Sequence, residues 1–153
     1  MALDIKKIKK VREATGASMV RVKDVLDELK GNEDKAIKKL QKEMGKKMAK
    51  RADRATGQGL LQTYTHHDGR TVSVVELLCE TDFVAKNKLF QSVAKDLSLQ
   101  VASMNPKDVN ELVKQDFVKD PGKKVGDLVE EVKAKTGENI QIGRIWRIQL
   151  GEK

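Results

Sequence analysis

One cysteine, two prolines, one tryptophan, one tyrosine and three phenylalanines are all that this chain of 153 residues holds of those types. The lone Cys79 excludes an internal disulfide and leaves no cysteine cluster for zinc. It lies in an apolar run and reads as a small core residue; a reactive thiol is the lesser alternative, and a disulfide to a second copy is disfavoured in a reducing compartment. No window approaches the roughly 18 uninterrupted apolar residues of a membrane helix. The opening Met1-Ala2-Leu3-Asp4-Ile5-Lys6-Lys7 also lacks the apolar centre of a secretory signal, so a cytoplasmic protein without a membrane partner is expected. There is no phosphate-cradling glycine loop, no nucleophile elbow and no obvious pair of carboxylates. The chain therefore does not read as an enzyme, and nothing in it asks for a cofactor or a resident metal.

What it has in excess is positive charge, unevenly placed. The formal net charge is +8, and residues 1–57 hold 17 Lys/Arg against 9 Asp/Glu while residues 58–153 hold 14 of each. The front third thus carries the whole excess, which marks a module boundary and points that module at an acidic partner surface or a nucleic acid.

Periodicity divides the chain further. Residues 1–45 read as three short amphipathic helices. Asp4 caps the first, with Ile5, Ile8 and Val11 on one face and Thr15-Gly16 at its end. Ser18 caps the second, which buries Val22, Val25, Leu26 and Leu29 and stops at Gly31. Asn32 caps the third, with Ala36, Ile37 and Leu40. Residues 46–57 follow as a basic, helix-favouring connector. In residues 58–153 the period changes: Leu60 to Thr65 and Thr71 to Cys79 are strand-like runs joined by an Asp68-Gly69 hairpin signal. A helix carries Phe90, Val93, Ala94, Leu97, Val101 and Met104 before Asn105-Pro106. A shorter one runs from Asp108 to Gln115, Asp120-Pro121-Gly122 reads as a turn, and a last helix ends at Gly137. Ile140 to Leu150 alternates as a third strand. The order implies an α+β lobe, a three-stranded antiparallel sheet with helices over one face.

Three features could carry function. His66-His67-Asp68 tempts a metal reading, but adjacent strand residues face opposite ways, and Asp-Gly follows at once; a polar hairpin tip is the better reading. The basic run could grip phosphates, although aromatics for base stacking are scarce and no common RNA-binding signature is present. The third is Glu80-Thr81-Asp82-Phe83-Val84-Ala85-Lys86-Asn87, where an acid and a scarce aromatic fall at the change from strand to helix. Asp82 can cap the helix, and Phe83 is in phase with Phe90 and Leu97 as core. Alternatively, Phe83 overhangs the packed face and reaches a second molecule.

That segment, with Phe90, Ala94-Lys95-Asp96 and Met104-Asn105-Pro106 after it, resembles the signature of bacterial elongation factor Ts. Arg12 to Met19, Gly31 to Ala36 and Gly137 to Ile140 agree with the same family in the same order. The resemblance implies a guanine-nucleotide exchange factor for elongation factor Tu that acts by binding, with nucleic acid not required. It implies a ubiquitin-associated-like front module docking through Arg12, Met19 and Val20, where Val20 replaces the family's usual Met and Val22 its common Cys. It further implies that Thr81, Asp82, Phe83 and Val84 engage the partner, Asp82 and Phe83 being pushed toward its magnesium and phosphate site. The chain has room for one lobe of the two-lobed core of longer members, and short members are understood to supply the second by pairing, so a homodimer through the sheet lobe is expected. A basic module that contacts RNA or the ribosome through residues 46–54, without exchange activity, is the alternative.

Overall fold

The computed structural model describes residues 4–153, leaving Met1-Ala2-Leu3 of the opening segment outside. The chain divides into two compact units, the first ending at Asp53 and the second beginning at Arg54.

The first unit contains α1 (Ile5–Thr15), α2 (Met19–Glu28) and α3 (Glu33–Arg51). Each start is set by the cap expected for it: Asp4 accepts from Lys6 N at 2.9 Å, Ser18 from Arg21 N at 3.3 Å and Asn32 from Lys35 N at 3.0 Å. These bonds satisfy backbone donors that a helix start leaves open. Gly16 takes the left-handed conformation at the end of α1, with φ 69°. Ile8, Val11, Ala17, Val22, Val25, Leu26, Ala36 and Leu40 are buried together, with Leu29 and Ile37 packed against them. So small a core leaves the caps a substantial share of the unit's stability. α3 runs on through Gly45 to Arg51, so the basic stretch from Lys46 to Arg51 continues the third helix.

The second unit contains β1 (Gln58–Thr65), β2 (Thr71–Cys79), α4 (Asp82–Ala85), α5 (Lys88–Met104), α6 (Val109–Lys114), β3 (Asp116–Phe117), β4 (Asp120–Lys124), α7 (Val125–Thr136) and β5 (Gln141–Gln149). β1, β2 and β5 form an antiparallel sheet with β2 in the middle. Ser73, Val75, Leu77 and Cys79 of β2 alternate inward. There Val75, Leu77 and Cys79 join a core made by Phe90, Val93, Ala94, Leu97 and Val101 of α5 and Val125, Leu128, Val129 and Val132 of α7. The expected α+β lobe is present. Ser73 also donates through Oγ to the Ser98 carbonyl at 2.6 Å, a contact that a larger side chain would block.

One local expectation fails. Asp120-Pro121-Gly122 is strand, not turn: it opens β4, which pairs with β3 around Val118-Lys119. Pro121 is tolerated because a two-residue partner demands few ladder donors. The hairpin is pinned by buried Gln100, whose amide donates to Gln115 Oε1 and the Asp116 carbonyl and accepts from Val118 N at 2.9 Å.

Candidate functional site

β2 ends at Cys79 and α4 begins at Asp82, so two residues make the corner. Thr81, not Asp82, is the N-cap; its Oγ1 accepts from Val84 N at 3.3 Å. Asp82 stands in the first turn, where its carboxylate suits the helix's positive end. It pairs with Lys86 at 3.3 Å, but both groups are exposed, so the pair adds little.

The corner is held from 57 residues away. Glu138, in the loop after α7, accepts from Glu80 N and Thr81 N, each at 3.0 Å, and from Thr81 Oγ1 at 2.6 Å. Glu80 reciprocates by accepting from Asn139 N at 2.7 Å, and Arg54 lies 3.7 Å from its carboxylate. Asn139, itself buried, donates to the Arg54 carbonyl at 2.8 Å. Hydrogen bonds to an ionised acceptor contribute about 1.5–3 kcal/mol each, so a carboxylate taking three of them can fix a short segment. Cys79 completes the corner from below: its thiol donates to the Thr81 carbonyl at 3.1 Å, and burial pushes its pKa up. This is the small buried core residue the sequence suggested.

α4 is too short to be stable alone. Val84 and Ala85 pack against the core on its inner side. Phe83 points away and is 81% exposed. The core alternative for Phe83 therefore falls, for a specific reason. Asn87 caps a new helix by accepting from Leu89 N at 2.8 Å, which separates α4 from α5 and breaks the register that put Phe83 in phase with Phe90. Thr81 and Val84 thus anchor the corner, while Asp82 and Phe83 project from it.

In the first unit, Met19 and Val20 form an exposed apolar start to α2, and Arg12 is exposed in the last turn of α1. The turn between them is fixed by Thr15, whose Oγ1 donates to the Val11 carbonyl at 2.7 Å and accepts from Ala17 N at 3.3 Å.

His66 and His67 lie past the end of β1, in the turn closed by Gly69 N donating to the His66 carbonyl. Strand alternation therefore does not apply to them, and their rings sit 4.2 Å apart. His66 Nδ1 is hydrogen-bonded with Tyr64 Oη at 3.0 Å. Among the described residues no group of three or more His, Cys, Asp or Glu side chains is placed to hold a metal ion. No helix among them is long and apolar enough to cross a membrane.

A helical unit with an exposed apolar helix start, and an α+β lobe that holds one aromatic rigidly in solvent, define a protein built to present surfaces. Residues 80–153 match the family model described as Elongation factor TS. The chain is 37% identical to Elongation factor Ts of Maridesulfovibrio salexigens over 197 aligned positions, covering 99% of this chain and 96% of that protein. It is 34% identical to the namesakes of Leptospira biflexa, covering 99% of each chain, and of Thermotoga neapolitana, covering 100% of each. The chain belongs to the elongation factor Ts family, and its role is that of a translation elongation factor. The aligned positions outnumber its 153 residues, so these relatives carry internal segments that it lacks.

The brace formed by Glu138 and Asn139 was not identified from sequence as functional. The only signal was that Gly137-Glu138-Asn139-Ile140 is one of the stretches that carry the family resemblance.

Proposed function

We propose that this chain promotes the release of GDP from elongation factor Tu, acting by binding and without covalent chemistry. The observation that carries the reading is Phe83, an aromatic left 81% exposed on a corner that Glu138 fixes at Glu80 and Thr81 and the core fixes at Val84 and Ala85. A Phe this exposed contributes little to its own fold, whereas in an apolar pocket of a partner it contributes most of its area to binding. Asp82 beside it brings a carboxylate toward the groups that hold the partner's magnesium. That ion would neutralise charge on the nucleotide phosphates, so a carboxylate that disturbed the groups holding it would loosen GDP. Arg12, Met19 and Val20 dock the front module on the partner and raise the effective concentration of the corner.

Linkage makes this an exchange mechanism. If the factor weakens nucleotide binding, nucleotide weakens factor binding equally, so neither is trapped and an excess of GTP sets the direction. The test is release of a fluorescent GDP analogue from a cognate elongation factor Tu. Faster release on adding the chain is expected; an unchanged rate would reject the reading.

We also infer a homodimer through the sheet. The face of β1, β2 and β5 opposite the helices bears exposed Leu61, Trp146 and Ile148 with half-buried Val72, Val74 and Leu78 between them. The Glu76–Arg144 ion pair, at 3.0 Å, crosses this face between Val74 and Leu78, and the apolar side chains on either side of it mark an interaction surface. Light scattering at micromolar concentration should give twice the 17.1 kDa chain mass. A monomer mass with exchange activity intact would rule the dimer out.

A further inference from the structure

α3 carries a second surface that the exchange reading does not use. Lys35, Lys38, Lys42, Lys46 and Lys50 are all exposed. At about 100° per residue they fall within roughly 120° of arc, and they run about 22 Å along the helix. The arc excludes the side that buries Ala36 and Leu40. No acidic residue of α3 falls inside it. Glu43, just beyond one edge, is already taken by Arg21 Nε and Nη2 at 3.0 and 2.6 Å. Lys39, on the same side of the helix, is engaged by Glu28. Among the described residues, none of the five has an ion-pair partner.

Helix stability does not account for this pattern. Lysines at Lys38, Lys42, Lys46 and Lys50 are successive i,i+4 like-charge neighbours, which destabilise a helix. Cations near the end of α3 suit its macrodipole, but Lys35 and Lys38 stand in its first two turns, where the dipole disfavours them. A membrane-surface helix would need large apolar side chains beside the charges, and the arc contains only Ala49 in addition to the lysines.

We propose that this lysine face docks the phosphate backbone of a structured RNA. Five unpaired ammonium groups on a rigid rod match a polyanion, and RNA is the polyanion at hand for a translation elongation factor. Lysines without stacking aromatics contact phosphates and read no sequence, so the binding is electrostatic and sequence-independent.

The experiment is fluorescence anisotropy of the full chain with a labelled 20-base-pair RNA duplex between 50 and 200 mM salt. With five phosphates neutralised and a slope of roughly 0.7–0.9 per contact, affinity should fall on the order of 10²-fold over that range. Lys38→Gln/Lys42→Gln/Lys46→Gln keeps helix propensity and should reduce the salt slope by about 2–3, with GDP release by the variant unchanged. Lys107→Gln/Lys114→Gln/Lys135→Gln removes the same charge elsewhere and should leave the slope as it was. Equal losses in both triple variants would overturn the proposal by reducing it to net charge. So would a slope near zero, or binding of polyglutamate or phosphatidylserine vesicles as tight as that of the duplex. Because GDP release is read separately, failure here and failure of the exchange reading are distinguishable.

Discussion

Replacing Phe83 with alanine separates a wedge from a core residue more cleanly than any other change in this chain. Full burial of a Phe side chain contributes about 1.5–3 kcal/mol, and with 81% of Phe83 exposed only about a fifth of that is at stake. Phe83→Ala should therefore lower folding stability by about 0.3–0.6 kcal/mol, within the range of ordinary surface substitutions. Phe90→Ala is the internal comparison. Phe90 is fully buried against β2 and α7, and its loss should cost about 3–5 kcal/mol. Urea denaturation followed by circular dichroism reads both. Stopped-flow release of a fluorescent GDP analogue then reads function: an aromatic that fills a partner pocket is worth ~2 kcal/mol or more, so exchange by Phe83→Ala should fall at least about thirtyfold. Either a stability loss above about 1.5 kcal/mol or exchange within threefold of the parent chain would refute the reasoning.

Three further outcomes follow from the same geometry. Glu138→Ala strips the acceptor from two backbone N–H groups and the Thr81 hydroxyl; water reaches these part-buried donors, so the loss should be well below the sum of three bonds, about 2–3 kcal/mol, and exchange should fall with it, although Glu138 is not expected to touch the partner; normal exchange in Glu138→Ala would show that the corner needs no brace. Glu76 is held below its usual pKa by the Arg144 guanidinium on the open sheet face, so its contribution is present above the unfolded value near 4.5 and is lost as pH falls through the lower folded value. Urea midpoints of the parent chain should accordingly drop faster below pH 4.5 than those of Glu76→Gln, and parallel curves would contradict this. Cys79, buried and with its thiol pKa raised, should react with a thiol reagent only as fast as the second unit opens, and rapid labelling of the native protein would count against the packing described.

The caps and the core were legible because both are written locally. Asp4, Ser18 and Asn32 each precede an apolar stripe with the helix period, and each caps the helix it was expected to cap. β2 was legible as a strand, but its inward face was not, since Val72, Val74 and Leu78 on the outer face are as apolar as Val75, Leu77 and Cys79 on the inner. What sequence did not resolve lies where two good choices are adjacent or where the partner is remote. Thr81 and Asp82 are both strong N-cap residues, and the choice is settled by Glu138, 57 residues on, which fixes Thr81 before the helix begins. Phe83 looked like core only while α4 and α5 were read as one helix; the Asn87 cap breaks the phase. Pro121-Gly122 has the composition of a turn, yet Gln100 places the turn two residues earlier by holding Val118.

The corner also shows why its rigidity must be tertiary. Four residues cannot hold a helix by their own hydrogen bonds, since nucleation costs more than one turn returns. α4 keeps its shape because Thr81 is fixed from one side by Glu138 and because Val84 and Ala85 are fixed from the other by the core. A flexible corner would have to order Phe83 on binding, at a cost of about 0.5–1.5 kcal/mol for an immobilised side chain and more for the backbone beneath it. A braced corner bears that cost during folding instead, so under the proposed exchange role the free energy of inserting Phe83 would remain available to distort the partner's nucleotide site. Sensitivity to mutation should therefore extend from the exposed pair Asp82 and Phe83 to Thr81, Glu80 and Glu138, with stability and exchange falling together at the braces and coming apart only at the tip.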